Sequence, residues 1–148
     1  MSEHSRQLLL VNGPNLNLLG TREPQIYGHA TLADVEELVT TTADELGYGV
    51  RAVQSNHEGV LIDAIHAARL DCAGVVINAG ALTHTSVALR DALVSAGLPV
   101  AEVHISNVHR REEFRHHSYL SAVADVVIVG AGVHGYAYGV QQLARIIG

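Results

Sequence analysis

No lysine occurs anywhere in the 148 residues; all nine basic side chains are arginine. Schiff-base chemistry on a carbonyl needs a lysine amine, and a Walker-type phosphate loop needs its lysine, so both are excluded. A carbonyl-processing enzyme of this sequence has to work by acid–base chemistry. Cys72 is the single cysteine. An internal disulfide framework is therefore excluded, and a reducing, cytoplasmic compartment is expected. At the end of a predicted helix, Cys72 reads as a small packing residue. Tryptophan is absent and phenylalanine occurs once, which leaves the core to Val, Leu, Ile and Ala. No stretch approaches 18 consecutive apolar residues, so no membrane span is expected. Residues 1–7 lack the basic and apolar blocks of a signal peptide. A net charge of -6 argues against a nucleic-acid surface.

What is present is an alternation of apolar runs with helical periodicities. Strands are expected at about 8–12, 49–53, 74–78, 99–104 and 125–129. A first helix, about 32–46, puts Leu32, Val35, Leu38, Val39 and Leu46 on one face, with Thr31 to cap it and Gly47 to end it. A second starts at Ser55-Asn56-His57-Glu58, a capping-box pattern, and buries Leu61, Ile62 and Ile65. A third follows Thr83-His84-Thr85-Ser86 and stops at Gly97, before Pro99. The stretch 110–124 is a weaker, broken pattern. The last helix, about 134–146, repeats Val133, Ala137, Val140, Leu143, Ala144 and Ile147. Alternation of this kind implies a parallel sheet with right-handed crossovers, and five strands favour the flavodoxin-like order 2-1-3-4-5. The length suits one domain over residues 1–148.

In such a sheet ligands bind beyond the carboxyl ends of the strands. Strand one ends on Asn12 and Asn15 and runs into a polar loop through Arg22 and Tyr27, expected without regular structure and suited to a lid or a site. Strand two delivers Gln54 to Glu58. Strand three delivers Asn78, Gly80, Thr83 and His84. Strand four delivers Glu102, His104, Ser106, Asn107, His109, Arg110 and Arg111, and strand five Gly130, Gly132 and His134. Polar groups recurring at one sheet edge converge.

Asn78 stands where a phospho-acceptor domain needs Asp. The first loop lacks the Ser and Thr of a flavin-phosphate site. The G-x-G-x-x-G match at Gly130-Gly132-Gly135 follows the last strand and reads as a tight turn. Among ten histidines, His104 with His109, or His116 with His117, could ligate a metal, but no spacing is that of a specific site. Glu102 and His104 alternate with Val103 and Ile105, so both point to one face, where the carboxylate would orient the imidazole. Tyr27 becomes a base at neutral pH only where guanidinium groups favour its anion; Arg22, Arg111 and Arg115 could do so. The residues alone reach an acid–base site on a doubly wound sheet, beside two rivals: a flavin- or nucleotide-binding module and a metal-dependent hydrolase.

Asn12-Gly13-Pro14-Asn15-Leu16-Asn17-Leu18-Leu19-Gly20, Arg22-Glu23-Pro24, Tyr27-Gly28, the block Ile77 to Ala92 and the block Glu102 to His109 continuing through Arg111 to Arg115 together resemble type II 3-dehydroquinate dehydratases. The match is collinear over nearly the whole chain. Val60 departs where many relatives carry a second Glu after the Glu-Gly pair. The resemblance implies a flavodoxin-like fold, a dodecamer built as a tetramer of trimers, and anti elimination of water from 3-dehydroquinate through an enolate, with no cofactor, metal or Schiff base. It implies roles too. Tyr27 matches the base that takes the proton alpha to the ketone, and Arg22 the group that depresses the tyrosine pKa and stabilises the transition state. Asn15 matches the holder of a water at the enolate oxygen, and His104, oriented by Glu102, the acid that protonates the departing hydroxyl. Asn78, His84, Ile105, Ser106 and Arg115 match substrate contacts, Arg111 a charged partner near the base, and Asp91 a residue reaching in from a neighbouring subunit. Aromatic biosynthesis and quinate breakdown both remain open as the setting.

Overall fold

Five short strands form one parallel sheet in the order β2-β1-β3-β4-β5. The computed structural model describes residues 6–21 and 23–148, with the backbone alone at 26 and 27. The strands are β1 Gln7–Asn12, β2 Gly49–Gln54, β3 Gly74–Asn78, β4 Val100–His104 and β5 Val126–Val129. The central strands β3 and β4 are buried along their whole length, the signature of a sheet covered on both faces. One face packs Leu8, Leu10, Val76, Ala101 and Val103 against α2 (Leu32–Glu45) and α5 (His134–Ile147). The other packs Leu9, Val11, Val75 and Ile77 against α3 (Glu58–Ala68) and α4 (Val87–Ala96). Doubly wound order and flavodoxin-like class are as the sequence predicts.

Local chemistry sets most boundaries. Thr31 and Asp34 close a reciprocal capping box on α2. Ser86 caps α4 through the Leu89 N–H, and Gly97 ends that helix with φ 67.

Four expectations are corrected. The loop after β1 is not irregular: Leu16–Leu18 forms a 3-10 turn and Pro24–Tyr27 a one-turn helix, α1. Pro24 pre-sets the helical φ, and the Gly28 N–H closes the turn on the Pro24 carbonyl at 2.8 Å. The second helix begins later than Ser55, after His57, because Ser55 Oγ is engaged by the His57 N–H in a local turn and caps nothing. The segment 110–124 contains no α-helix; it makes 3-10 turns at Val108–Arg110, Glu113–Arg115 and Ser121–Val123. Leu46 is exposed beyond the end of α2. Cys72 is buried in the turn after α3, and burial pushes its thiol up to about 11.

Candidate active site

Two loops cross at the carboxyl edge of the sheet and fix the floor of a cavity. The Gly13 N–H donates to the Asn78 carbonyl at 2.8 Å. A Cβ on Gly13 would stand 2.2 Å from the Ala79 carbonyl oxygen, so this crossing admits only glycine. Gly80 turns with φ 60 directly over Pro14. Asn15 adopts the left-handed region at φ 70, which asparagine tolerates, and its N–H is tied to Asn56 Oδ1 at 2.9 Å. The cavity, about 150 Å³, is lined by Asn15, Asn78, His84, His104, Ile105, Ser106, Arg111 and Arg115, with Pro14, Leu16, Leu19, Gly80, Ala81 and Val108 between them.

The strand period of two places Glu102 and His104 on one face of β4. His104 Nε2 donates to Glu102 Oε2 at 2.5 Å, and both groups are buried. With Nε2 committed to the carboxylate, Nδ1 is the ring atom through which His104 exchanges a proton. Glu102 also accepts from Ser118 Oγ at 2.8 Å and from Ser121 Oγ at 2.7 Å. Burial pushes its carboxyl up, but bonds from His104, Ser121 and Ser118 outweigh that and hold it below the usual carboxylate range.

His84 stacks beside His104, ring centroids 6.5 Å apart. Its Nδ1 lies 2.8 Å from the His117 carbonyl. A carbonyl only accepts, so Nδ1 carries the proton and Nε2 of the neutral ring is left as an acceptor. Burial holds the His84 pKa below the ordinary histidine range, with neighbouring His104 and Arg115 acting the same way against the bond to His117. Arg115 donates to Glu112 at 3.0 Å, and Arg111 forms a looser ion pair with the same carboxylate at 3.8 Å. The cavity thus holds an imidazole oriented by a buried carboxylate, a neutral acceptor ring and two guanidinium groups, a set suited to an anionic, hydroxylated ligand.

Eight of the expected residues therefore converge. Glu102 lies behind His104, away from the cavity wall, as an orienting carboxylate should. Asp91 is exposed on α4 and lines neither this cavity nor the neighbouring one behind His104. Arg22 and the Tyr27 side chain lie outside the described residues. Among the described residues no three His, Cys, Asp or Glu side chains gather to hold a metal, so the histidine pairs weighed as ligands form no such group.

Sequence reasoning missed three supporting side chains. Ser118 and Ser121 are two of them. Their spacing of three fits a single turn, but nothing local ties that turn to Glu102. The other is Tyr136, fully buried on α5. Its hydroxyl donates to Asn12 Oδ1 at 2.7 Å and accepts from Asn78 Nδ2 at 2.9 Å, while Asn78 Oδ1 takes the Gly80 N–H at 3.1 Å. Tyr136 stands on the apolar stripe with Val140 and Leu143, and a buried phenol requires a partner; the polar ends of β1 and β3 supply it.

No helix among the described residues is long and apolar enough to cross a membrane. The family described as Dehydroquinase class II matches residues 6–144. A catabolic 3-dehydroquinase of Pyricularia oryzae is 61% identical over 147 residues, covering 98% of this chain and 94% of that protein. A 3-dehydroquinate dehydratase 1 of Corynebacterium efficiens is 63% identical over 139 residues, covering 94% and 92%. The crystal structure of a type II dehydroquinase from Propionibacterium acnes superposes with a TM-score of 0.90 at 45% identity, covering 95% of this chain and 97% of that one. With the cavity, the oriented imidazole and this collinear likeness in one chain, the protein belongs to the class II dehydroquinase family.

Proposed function

We propose that this chain, acting as one catalytic domain over residues 1–148, dehydrates 3-dehydroquinate to 3-dehydroshikimate by anti elimination through an enolate. The observation that carries the reading is the Glu102–His104 pair opening on a cavity that also receives Arg111 and Arg115. In the first step Tyr27, as phenolate, takes the proton alpha to the ketone; the C–H pair becomes the enolate, and a water held by Asn15 stabilises its oxygen. Arg22 favours the phenolate and the developing charge, with Arg111 as a further cation near the base. In the second step the enolate re-forms the ketone, a carbon–carbon double bond appears, and the C–O bond breaks. His104 gives its proton to the departing hydroxyl, which leaves as water. Asn78, His84, Ile105, Ser106 and Arg115 bind the substrate's hydroxyls and carboxylate. A positioned general acid contributes typically about 10²–10⁴-fold, and fixed cations stabilise the charge that develops on the enolate.

The chemistry needs no electron transfer and no imine, in keeping with a chain that has no lysine. We assign the working form to a homo-oligomer, a dodecamer, in which Asp91 reaches a neighbour's cavity. The test is the purified protein with 3-dehydroquinate, followed by the ultraviolet absorbance of the conjugated enone. Turnover that persists in chelator is expected. Absence of enone formation would overturn the assignment, and a bound flavin or nucleotide in its place would favour the binding-module reading.

A further inference from the structure

We infer that Ser118 and Ser121 are positioning residues for the acid His104, acting through the Glu102 carboxylate; this rests on the proposed role of His104 as proton donor to the departing hydroxyl. Glu102 is buried beneath β4, where an ionised carboxylate with an unmet oxygen is costly. His104 occupies only one of its oxygens. Ser121 Oγ is the hydrogen-bond donor to the other, Oε1, at 2.7 Å, and Ser118 Oγ adds a second bond to Oε2 at 2.8 Å.

The turn that carries the serines is built to aim them. Ser118 Oγ accepts the N–H of Leu120 at 3.0 Å and of Ser121 at 3.1 Å. Two N–H groups fill the oxygen's lone pairs, so its hydroxyl proton has to point at Glu102. The segment expected as a weak helix is therefore a clamp. It holds the carboxylate in one rotamer and spreads its charge over three donors. A carboxylate so satisfied accepts a hydrogen bond from the imidazole but takes up its proton less readily. The Nε2 proton stays on the ring, which keeps the imidazolium charge that makes the Nδ1 proton available to the leaving group, and the ring stays aligned with the cavity. With Ser121 lost, Oε1 is left bare, and the carboxylate gains by rotating or by drawing the proton from His104.

The experiment is Ser121→Ala in the assembled enzyme, with steady-state kinetics on 3-dehydroquinate. The expected result is a kcat lower by roughly 10- to 100-fold, the scale on which outer hydrogen-bond partners of a working side chain act. KM is expected to stay within about twofold, since the serine touches no substrate. In a His104→Ala background the same change is expected to have no further effect on kcat, because its route runs through the imidazole. Ser121→Cys fills the same place with a poor donor and is expected to lose kcat likewise, which serves if the alanine variant does not fold. Unchanged kcat in either single variant overturns the inference. So does an equal loss in the His104→Ala background, which would assign the serine a purely structural role. Full kcat in His104→Ala alone would instead remove His104 as the acid, a separate failure of the reading beneath.

Discussion

A phenol with an ordinary pKa of about 10 is a poor base at neutral pH, and lowering it by about 3 units requires roughly 4 kcal/mol of differential stabilisation. A base with that requirement is expected to be hard to replace. Tyr27→Phe keeps the ring and removes the proton acceptor, so turnover should fall at least about 100-fold with substrate analogue still bound. Near-normal turnover would take Tyr27 out of the chemistry. Glu102 gives a second expectation, read from stability. Its carboxyl is held below the ordinary value of 4.5 in the folded protein. The unfolded chain therefore binds the proton first as pH falls. The stability Glu102 contributes is complete above pH 4.5 and is lost as pH drops through the lower folded value. Urea midpoints from pH 7 to 3 should show Glu102→Gln less stable at neutral pH but with a shallower acid decline; parallel declines would show that another group governs the acid limb. The pairing of Glu102 with His104 was legible in the sequence because two residues on a strand share a face. Tyr136 was not, since its partners Asn12 and Asn78 lie 124 and 58 positions away.

Among the elements, the crossing of the β1–α1 and β3–α4 connections is the most constrained, and it sits under the cavity. Gly13→Ala would drive a Cβ into the Ala79 carbonyl at 2.2 Å, and backbone offers no rotamer by which to yield. Overpacking of that kind typically costs about 1–3 kcal/mol and sometimes more. A fall of several degrees in the unfolding midpoint is expected, with a loss of affinity because Asn15 and Gly80 flank the same turn. An unchanged midpoint together with unchanged affinity would show that the two loops separate easily. The strands and the long helices were readable from periodicity and capping, since α2 and α4 take their starts from Thr31 and Ser86 as the sequence predicts. The segment from Val108 to Val123 was not readable as an element. Its turns are held by contacts made elsewhere, such as the Tyr119 N–H to the Thr83 carbonyl at 2.9 Å and the serines on Glu102. Local pattern carries no information about such contacts.

At the scale of the molecule, α4 presents Val87, Asp91 and Val94 on one exposed stripe, at positions i, i+4 and i+7. The two valines are 51% and 58% exposed and lie on either side of Asp91 along the helix. Burying them against a second copy of the chain would remove apolar surface from water and carry Asp91 to the partner. If that contact is heterologous and closes into a ring, every site takes Asp91 from one neighbour and Tyr27 from its own subunit. Asp91→Ala should then lower affinity for substrate in an intact assembly, and Tyr27→Phe should abolish turnover. When the two inactive or weakened proteins are dissociated, mixed in equal amounts and reassembled, a site is whole only if its own chain carries Tyr27 and its neighbour carries Asp91. Random mixing makes about a quarter of the sites whole. At subsaturating substrate, recovery to about a quarter of the wild-type rate is expected, above both parents where Asp91→Ala lowers kcat/KM by more than about threefold. Mixed assemblies confirmed by mass but showing no recovery would place Asp91 in its own subunit's site or outside any site. The valine stripe would then need another explanation.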